Sequence, residues 1–188
     1  MKLSVSPRTS ERKSDTKKLR RQGQVPGVLY GLKEANKNVY FQLDQLQAIL
    51  RGMNPGLLAT TLFELEGDGK TQQAIVKEIQ YHPASYAILH VDFALVSDEK
   101  PVSVNVPIQV TGLAECAGIK LGGFMRQVIR SLKVRCLPKD IPQEFVLDVR
   151  ELDVGQSKKL SDLSIPEGVR PLAKMKEVAV VIAKKAGA

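Results

Sequence analysis

The first 95 residues are interrupted by turn residues so often that only short strands and short helices fit between the interruptions. Residues 2–6 read as a strand closed by Pro7. Val25-Pro26-Gly27 reads as a turn into a strand over 28–30 that ends at Gly31, and 38–43 forms the next strand. Asp44 caps a helix, D-Q-L-Q-A-I-L-R, whose Leu46, Ile49 and Leu50 share one face, and Asn54-Pro55-Gly56 stops it. Residues 60–66 and 71–80 alternate on either side of Gly67-Asp68-Gly69, the pattern of a hairpin. A last strand covers 87–93. So many short strands expose too many edges unless the sheet closes. The pattern therefore predicts a mainly β fold: a small closed six-stranded β-barrel with two or three short helices.

Residues 97–101 read as a weak linker, which divides the chain into a barrel domain over 1–95 and a second domain over 96–188. Val102, Val104, Val106, Ile108 and Val110 alternate around Pro107, marking a strand at an edge or with a bulge. Gly112, Gly118, Gly122 and Gly123 mark a loop. Further strands are expected over 128–136, 145–149 and 177–183, while 157–163 is ambiguous. No long crossover helices separate these strands, so the second domain is expected to be an antiparallel β domain.

Charge narrows the function. The chain carries a net charge of +8, and eight basic side chains stand against Glu11 and Asp15 in its first 31 residues. A short helix from Ser14 or Asp15 to Gln22, stopped by Gly23, would show Lys17, Lys18, Arg20 and Arg21 around most of its circumference and bury little beyond Leu19. Something outside the helix must hold it, and phosphates would do so. A basic arm on a near-neutral body suits a nucleic-acid partner; a solubilising tail is the bland alternative. Cys116 and Cys136 are too few for a disulfide framework, which suggests a reduced, cytoplasmic setting. No apolar run approaches the ~20 residues of a membrane-spanning helix. Residues 1–5 are too short an apolar stretch for a signal peptide, and no membrane partner is expected.

Residues 80–93, Q-Y-H-P-A-S-Y-A-I-L-H-V-D-F, hold both histidines of the chain and two of its four tyrosines. On a strand, His90 and Asp92 share one face, because side chains repeat every two residues. The simpler reading of such a pair is the solvated face of an ordinary strand. Metal binding by His82, His90 and Asp92 fits no standard zinc spacing, and no cofactor is expected. A hydrolase built on His90 and Asp92 lacks a G-x-S-x-G elbow, and no phosphate loop appears, so an enzyme is not expected.

The run K-K-L-R-R-Q-G-Q-V-P-G-V-L-Y-G (17–31), with Q-Y-H-P (80–83) and H-V-D-F (90–93), resembles the N-terminal domain of a bacterial large-subunit ribosomal protein family, number twenty-five. The longer members of that family are called general stress protein CTC. G-I-K-L-G-G (118–123), C-L-P-K-D-I-P (136–142), L-D-V-R-E-L-D-V-G (147–155) and I-P-E-G-V (165–169) are similar to the C-terminal domain of that long form. The chain departs from the family at 12–18, where R-K-S-D-T-K-K replaces the usual G-K-G-A-x-R-R. Lysine there keeps the charge but loses the bidentate fork of arginine.

The resemblance implies a ribosome-associated protein that binds an internal loop of 5S rRNA in the large subunit through a small β-barrel. Neighbouring ribosomal proteins would be further contacts, and the free chain would be a monomer. It implies an RNA face made of Arg8, Lys17, Lys18, Arg20, Tyr30, His90 and Asp92. Gln80 and His82 neighbour that face, and Lys13 and Arg21 complete its basic stretch. Such a face would fix its register on phosphates and touch base edges with a few polar groups, since RNA offers a wide, shallow minor groove. The alternative is a stress-response interaction module in which the second domain meets a protein, with apolar exposure around 118–125, and RNA binding is secondary.

Overall fold

Three phenylalanines centre the packing of the first half of the chain. In the computed structural model, Phe93 lies edge-to-face against Phe41 and Phe63, with ring centroids 5.8 and 6.1 Å apart. That is the offset geometry the aromatic quadrupole favours. The structure describes residues 1–9, 12–31, 34–54, 56–67 and 69–184. They divide into two units, Met1–Val102 and Ser103–Ala188.

The first unit contains β1 (Lys2–Ser4), β2 (Ser6–Pro7), α1 (Lys13–Arg21), β3 (Gln24–Gly31), β4 (Glu34–Gln42), α2 (Leu43–Arg51), β5 (Leu62–Gly67), β6 (Lys70–Tyr81) and β7 (Ile88–Leu95). The strands form one sheet in the order β1-β5-β6-β7-β3-β4-β2. Its two ends are the halves of a single N-terminal segment broken at Val5. One half pairs parallel to β5 and the other antiparallel to β4, so residues 2–7 draw the sheet into a nearly closed barrel. The expected six strands become seven because of that break. The anticipated hairpin is present, with Leu62 opposite Ile75 and Gly67 opposite Lys70. α2 buries Leu46 completely and lays Ile49 and Leu50 on the same core.

Three local expectations change. Val25, Pro26 and Gly27 do not turn; they are buried inside β3. Pro26 lies one residue ahead of the parallel ladder with β7, which begins at Gly27, where a missing N–H costs least. At Gly27 a Cβ would stand 2.7 Å from the Val91 carbonyl oxygen and 3.2 Å from the Phe41 ring, so only glycine lets β3 lie this close to β7. α1 begins at Lys13 with Arg12 as an N-cap that makes no side-chain bond, rather than at a Ser14 or Asp15 cap. Asp15 and, in α2, Asp44 sit inside the first turn, where a carboxylate still meets the positive end of the helix dipole. Pro55 and Asp68 of the two expected turns lie outside the described residues.

The second unit contains β8 (Val102–Thr111), α3 (Ala117–Lys120), β9 (Gly123–Gln127), β10 (Ser131–Cys136), β11 (Phe145–Asp148), β12 (Ser157–Lys159), β13 (Arg170–Pro171) and β14 (Val178–Lys184). They make a sheet ordered β11-β8-β10-β13 and another ordered β12-β14-β9. The pairs β10·β13, β12·β14 and β14·β9 are antiparallel. The pair β11·β8 is parallel, against the expectation of antiparallel pairing throughout. The chain between Thr111 and Phe145 is long enough to return to the same end of the sheet without a long helix. Pro107 is not at an edge: β8 lies between β11 and β10. It stands one residue ahead of the ladder with β11, which starts at Ile108. The glycine-rich stretch expected to be a loop holds α3. Cys116 and Cys136 are free and buried.

The aromatic centre gives a test. Phe93→Ala should lower unfolding stability by ~3–5 kcal/mol, and Gly27→Ala by ~1–3 kcal/mol through overpacking. All four tyrosines lie in the first unit, so tyrosine fluorescence in a urea titration reads that unit alone. No change in the midpoint for either variant would contradict the packing described.

Candidate nucleic-acid interface

The outer face of three adjacent strands carries the residues of interest. β3 runs parallel to β7 with Val28 opposite Asp92. β7 runs antiparallel to β6 with Asp92 opposite Glu78 and His90 opposite Gln80. Val91 and Phe93 are fully buried, so His90 and Asp92 turn away from the core, as period-two alternation predicts. His90 Nδ1 lies 2.7 Å from Asp92 Oδ1. The contact is close but off-axis, because the buried Nδ1 has no aligned hydrogen-bond acceptor. Nε2 is the ring nitrogen left to meet a ligand.

Tyr30 borders the same patch. Burial, then the nearby Asp92 and Glu78 carboxylates, push its phenol above the ordinary tyrosine range. Glu78 was not singled out from sequence. It stands directly across from Asp92, and like charges at that position repel. Its place depends on a bulge at Lys77, where Val76 pairs with Phe93 but Glu78 already pairs with Asp92.

A second bulge fixes the basic helix. Tyr81 pairs with Ile88 and Gln80 with His90, so Leu89 is the extra residue on β7. Arg20 Nε donates to the Leu89 carbonyl oxygen at 3.0 Å. One guanidinium nitrogen is thus spent on holding α1 beside His90, while the side chain remains exposed. The sequence does not show this bulge, since Leu89, Val91 and Phe93 keep a period of two; only the burial of both Ile88 and Val91, three apart, marks it.

The other expected residues fall into three groups. Lys17, Lys18, Arg21 and Gln80 are exposed and available. Arg8 is half-buried and turned onto the helix: its Nη1 donates to Thr16 Oγ1 at 2.9 Å, and its buried Nε has no hydrogen-bond acceptor. His82 is exposed but its Nδ1 accepts from the Ala84 and Ser85 amides, 3.3 and 3.2 Å away, which organises the turn between β6 and β7. The Lys13 side chain lies outside the described residues. Among the described residues no group of three His, Cys, Asp or Glu side chains could hold a metal ion, and no helix is long and apolar enough to cross a membrane.

Both halves of the chain match known protein families. Residues 3–93 match the family model described as the ribosomal L25p family, and residues 101–186 match the ribosomal protein TL5 C-terminal domain. The chain is 43% identical over 185 residues to the large ribosomal subunit protein bL25 of Chlamydia trachomatis serovar L2. It is 40% identical to the protein of that name from Chlamydia abortus and 38% to that from Chlamydia pneumoniae. Each match covers 98% of this chain and 100% of the relative. The chain belongs to the ribosomal L25p family. That family is one of ribosomal proteins, not of enzymes. The match to both models makes this chain a long-form L25p protein.

The Tyr30 environment has a measurable consequence for this L25p chain. A phenol is neutral when protonated, and burial and two carboxylates disfavour the phenolate, so the folded-state pKa is raised. The resulting stabilisation is present below ~10, the ordinary tyrosine value, and is lost as pH rises through the raised value. In a phenolate absorbance titration, assigned by difference from Tyr30→Phe, Tyr30 should ionise above ~10, the ordinary tyrosine value. Asp92→Asn should move the Tyr30 transition down. Ionisation of Tyr30 at the ordinary tyrosine value would refute the arrangement.

Proposed function

We propose that this protein is a structural constituent of the large ribosomal subunit and that it holds 5S rRNA through the outer face of β3, β7 and β6 together with α1. The observation that carries the RNA reading is the Arg20–Leu89 bond, which joins a cationic helix to the strand bearing His90 and Asp92. Phosphate contacts and base contacts are thereby available on one rigid surface.

The roles divide by charge. Lys17, Lys18 and Arg21, with the outer nitrogens of Arg20, meet phosphates and set the register. His90 offers Nε2, an acceptor for a 2′-hydroxyl when the ring is neutral and a donor to phosphate when it is protonated. Asp92 would be repelled by phosphates and suits the guanine amino group, the one base-edge donor of the minor groove. Tyr30 presents a ring and a hydroxyl at the rim. Arg8 and His82 act through the elements they brace, α1 and the β6–β7 turn, rather than as primary contacts.

A second reading gives the protein a protein contact on its other unit. Leu121 is 73% exposed and Phe124 48% exposed, which supplies apolar surface for it. Under that reading, binding to 5S rRNA would be no tighter than to an unrelated RNA.

Titration of the full chain against 5S rRNA and an unrelated RNA of equal length separates the two. With ~5 phosphates neutralised, log affinity should fall against log salt with a slope of about −4. His90→Ala should weaken 5S rRNA binding, and Asp92→Ala should cost ~1–3 kcal/mol on 5S rRNA alone. Equal affinity for both RNAs, or a flat salt response, would overturn the proposal.

A further inference from the structure

The open edge of the four-stranded sheet in the second unit carries an unusual charge pattern. Arg135 on β10 stands directly opposite Arg170 on β13. Both are exposed, and opposite residues of an antiparallel pair project to one face with Cβ atoms ~5 Å apart. Lys133 follows at two residues' distance along β10, about 7 Å away, again exposed and on that face. The partner segment continues past β13: the Leu172 amide donates to the Lys133 carbonyl oxygen at 2.9 Å, and Arg170, Leu172 and Lys174 are exposed in alternation. Four cations thus line one edge. Neither 131–136 nor 170–174 contains a carboxylate. None of Lys133, Arg135, Arg170 or Lys174 enters an ion pair among the described residues.

Like charges placed directly across a ladder destabilise it. At the far edge of the same sheet the charge is balanced instead: Arg150 bonds Asp148 through Nε at 2.8 Å and Nη2 at 2.6 Å, and those bonds hold the Asp148 carboxyl below its ordinary range. Among the described residues the β13 edge has no such partner, and an external anion would relieve its repulsion. The four cations form a strip two strands wide and a few residues long, which suits a polyanion better than a single small anion. Arginine forks suit phosphate oxygens, which they can bind in bidentate fashion.

We propose that the β10–β13 edge is a second RNA contact, binding the phosphate backbone of a duplex without reading its sequence. The choice of RNA as the polyanion rests on the ribosomal reading above; the site itself is separate from the face of the first unit.

The test uses the full chain and a generic A-form RNA duplex, titrated over a salt series. Arg135→Gln/Arg170→Gln should make the salt slope shallower by about 1.5, the share of two phosphate contacts. Lys100→Gln/Lys120→Gln, which removes two exposed cations elsewhere, should leave the slope within error. The arginine variant should also unfold at an unchanged or higher temperature, since repulsion is removed. Equal slope changes in both double variants would overturn the proposal and leave a merely solvated surface. So would a lowered unfolding midpoint, which would make the arginines structural, or tighter arginine-dependent binding of polyglutamate than of the duplex, which would make the partner an acidic protein segment. Preference for 5S rRNA over unrelated RNA, read with His90→Ala, is scored separately, so either reading can fail alone.

Discussion

Gly27 has no side chain to keep β3 from β7, and the candidate interface depends on that closeness. Because the two strands lie in register as a parallel pair, Val28 is level with Asp92, and Tyr30 comes within electrostatic reach of Asp92 and Glu78. The parallel contact between β3 and β7 needs a connection that carries the chain around other strands, here everything from β4 to β6. The residues of α1 and β3 that meet β7 are therefore some sixty to seventy positions from their partners, 69 for Arg20 and Leu89.

Much of the architecture was legible because period-two alternation and turn residues report directly on strands. The hairpin at Gly67, the α2 face of Leu46, Ile49 and Leu50, and the outward pairing of His90 with Asp92 follow from local pattern. What escaped was set by tertiary pairing. Pro26 looked like a turn signal because proline usually punctuates; here the neighbouring ladder simply starts one residue later. Pro107 repeats the device against β11. Glu78 joined the site only through a bulge at Lys77, and a bulge changes which residues face each other without changing composition. The braced roles of Arg8 and His82 were likewise hidden, since sequence shows a charge or an imidazole but not the groups it has already engaged.

The candidate face is also not uniformly positive. Two carboxylates, Asp92 and Glu78, sit opposite each other next to His90, and the cationic helix is bonded to Leu89 on the histidine's other side. On a surface that bound phosphates by charge alone they would weaken binding. Such acids make sense where a surface must discriminate: they penalise any approach that presents phosphate at the centre and reward one that presents amino groups there. Attraction is left to α1, at the border.

The N-terminal segment that joins the two ends of the barrel sets the order in which the fold can form. Residues 2–4 pair with 64–66, and the Met1 amine donates to the Leu62 carbonyl oxygen, so this segment must wait for partners made some sixty positions later. Contacts of such sequence separation are slow to form, because loop-closure entropy is spent before they reward it. During synthesis, the edges of β4 and β5 stay unpaired until this last join is made. The step that seals the barrel is thus the one most exposed to competition from another chain's edge strand, and anything that hinders residues 2–7 would act on the yield of folded protein before it acted on stability.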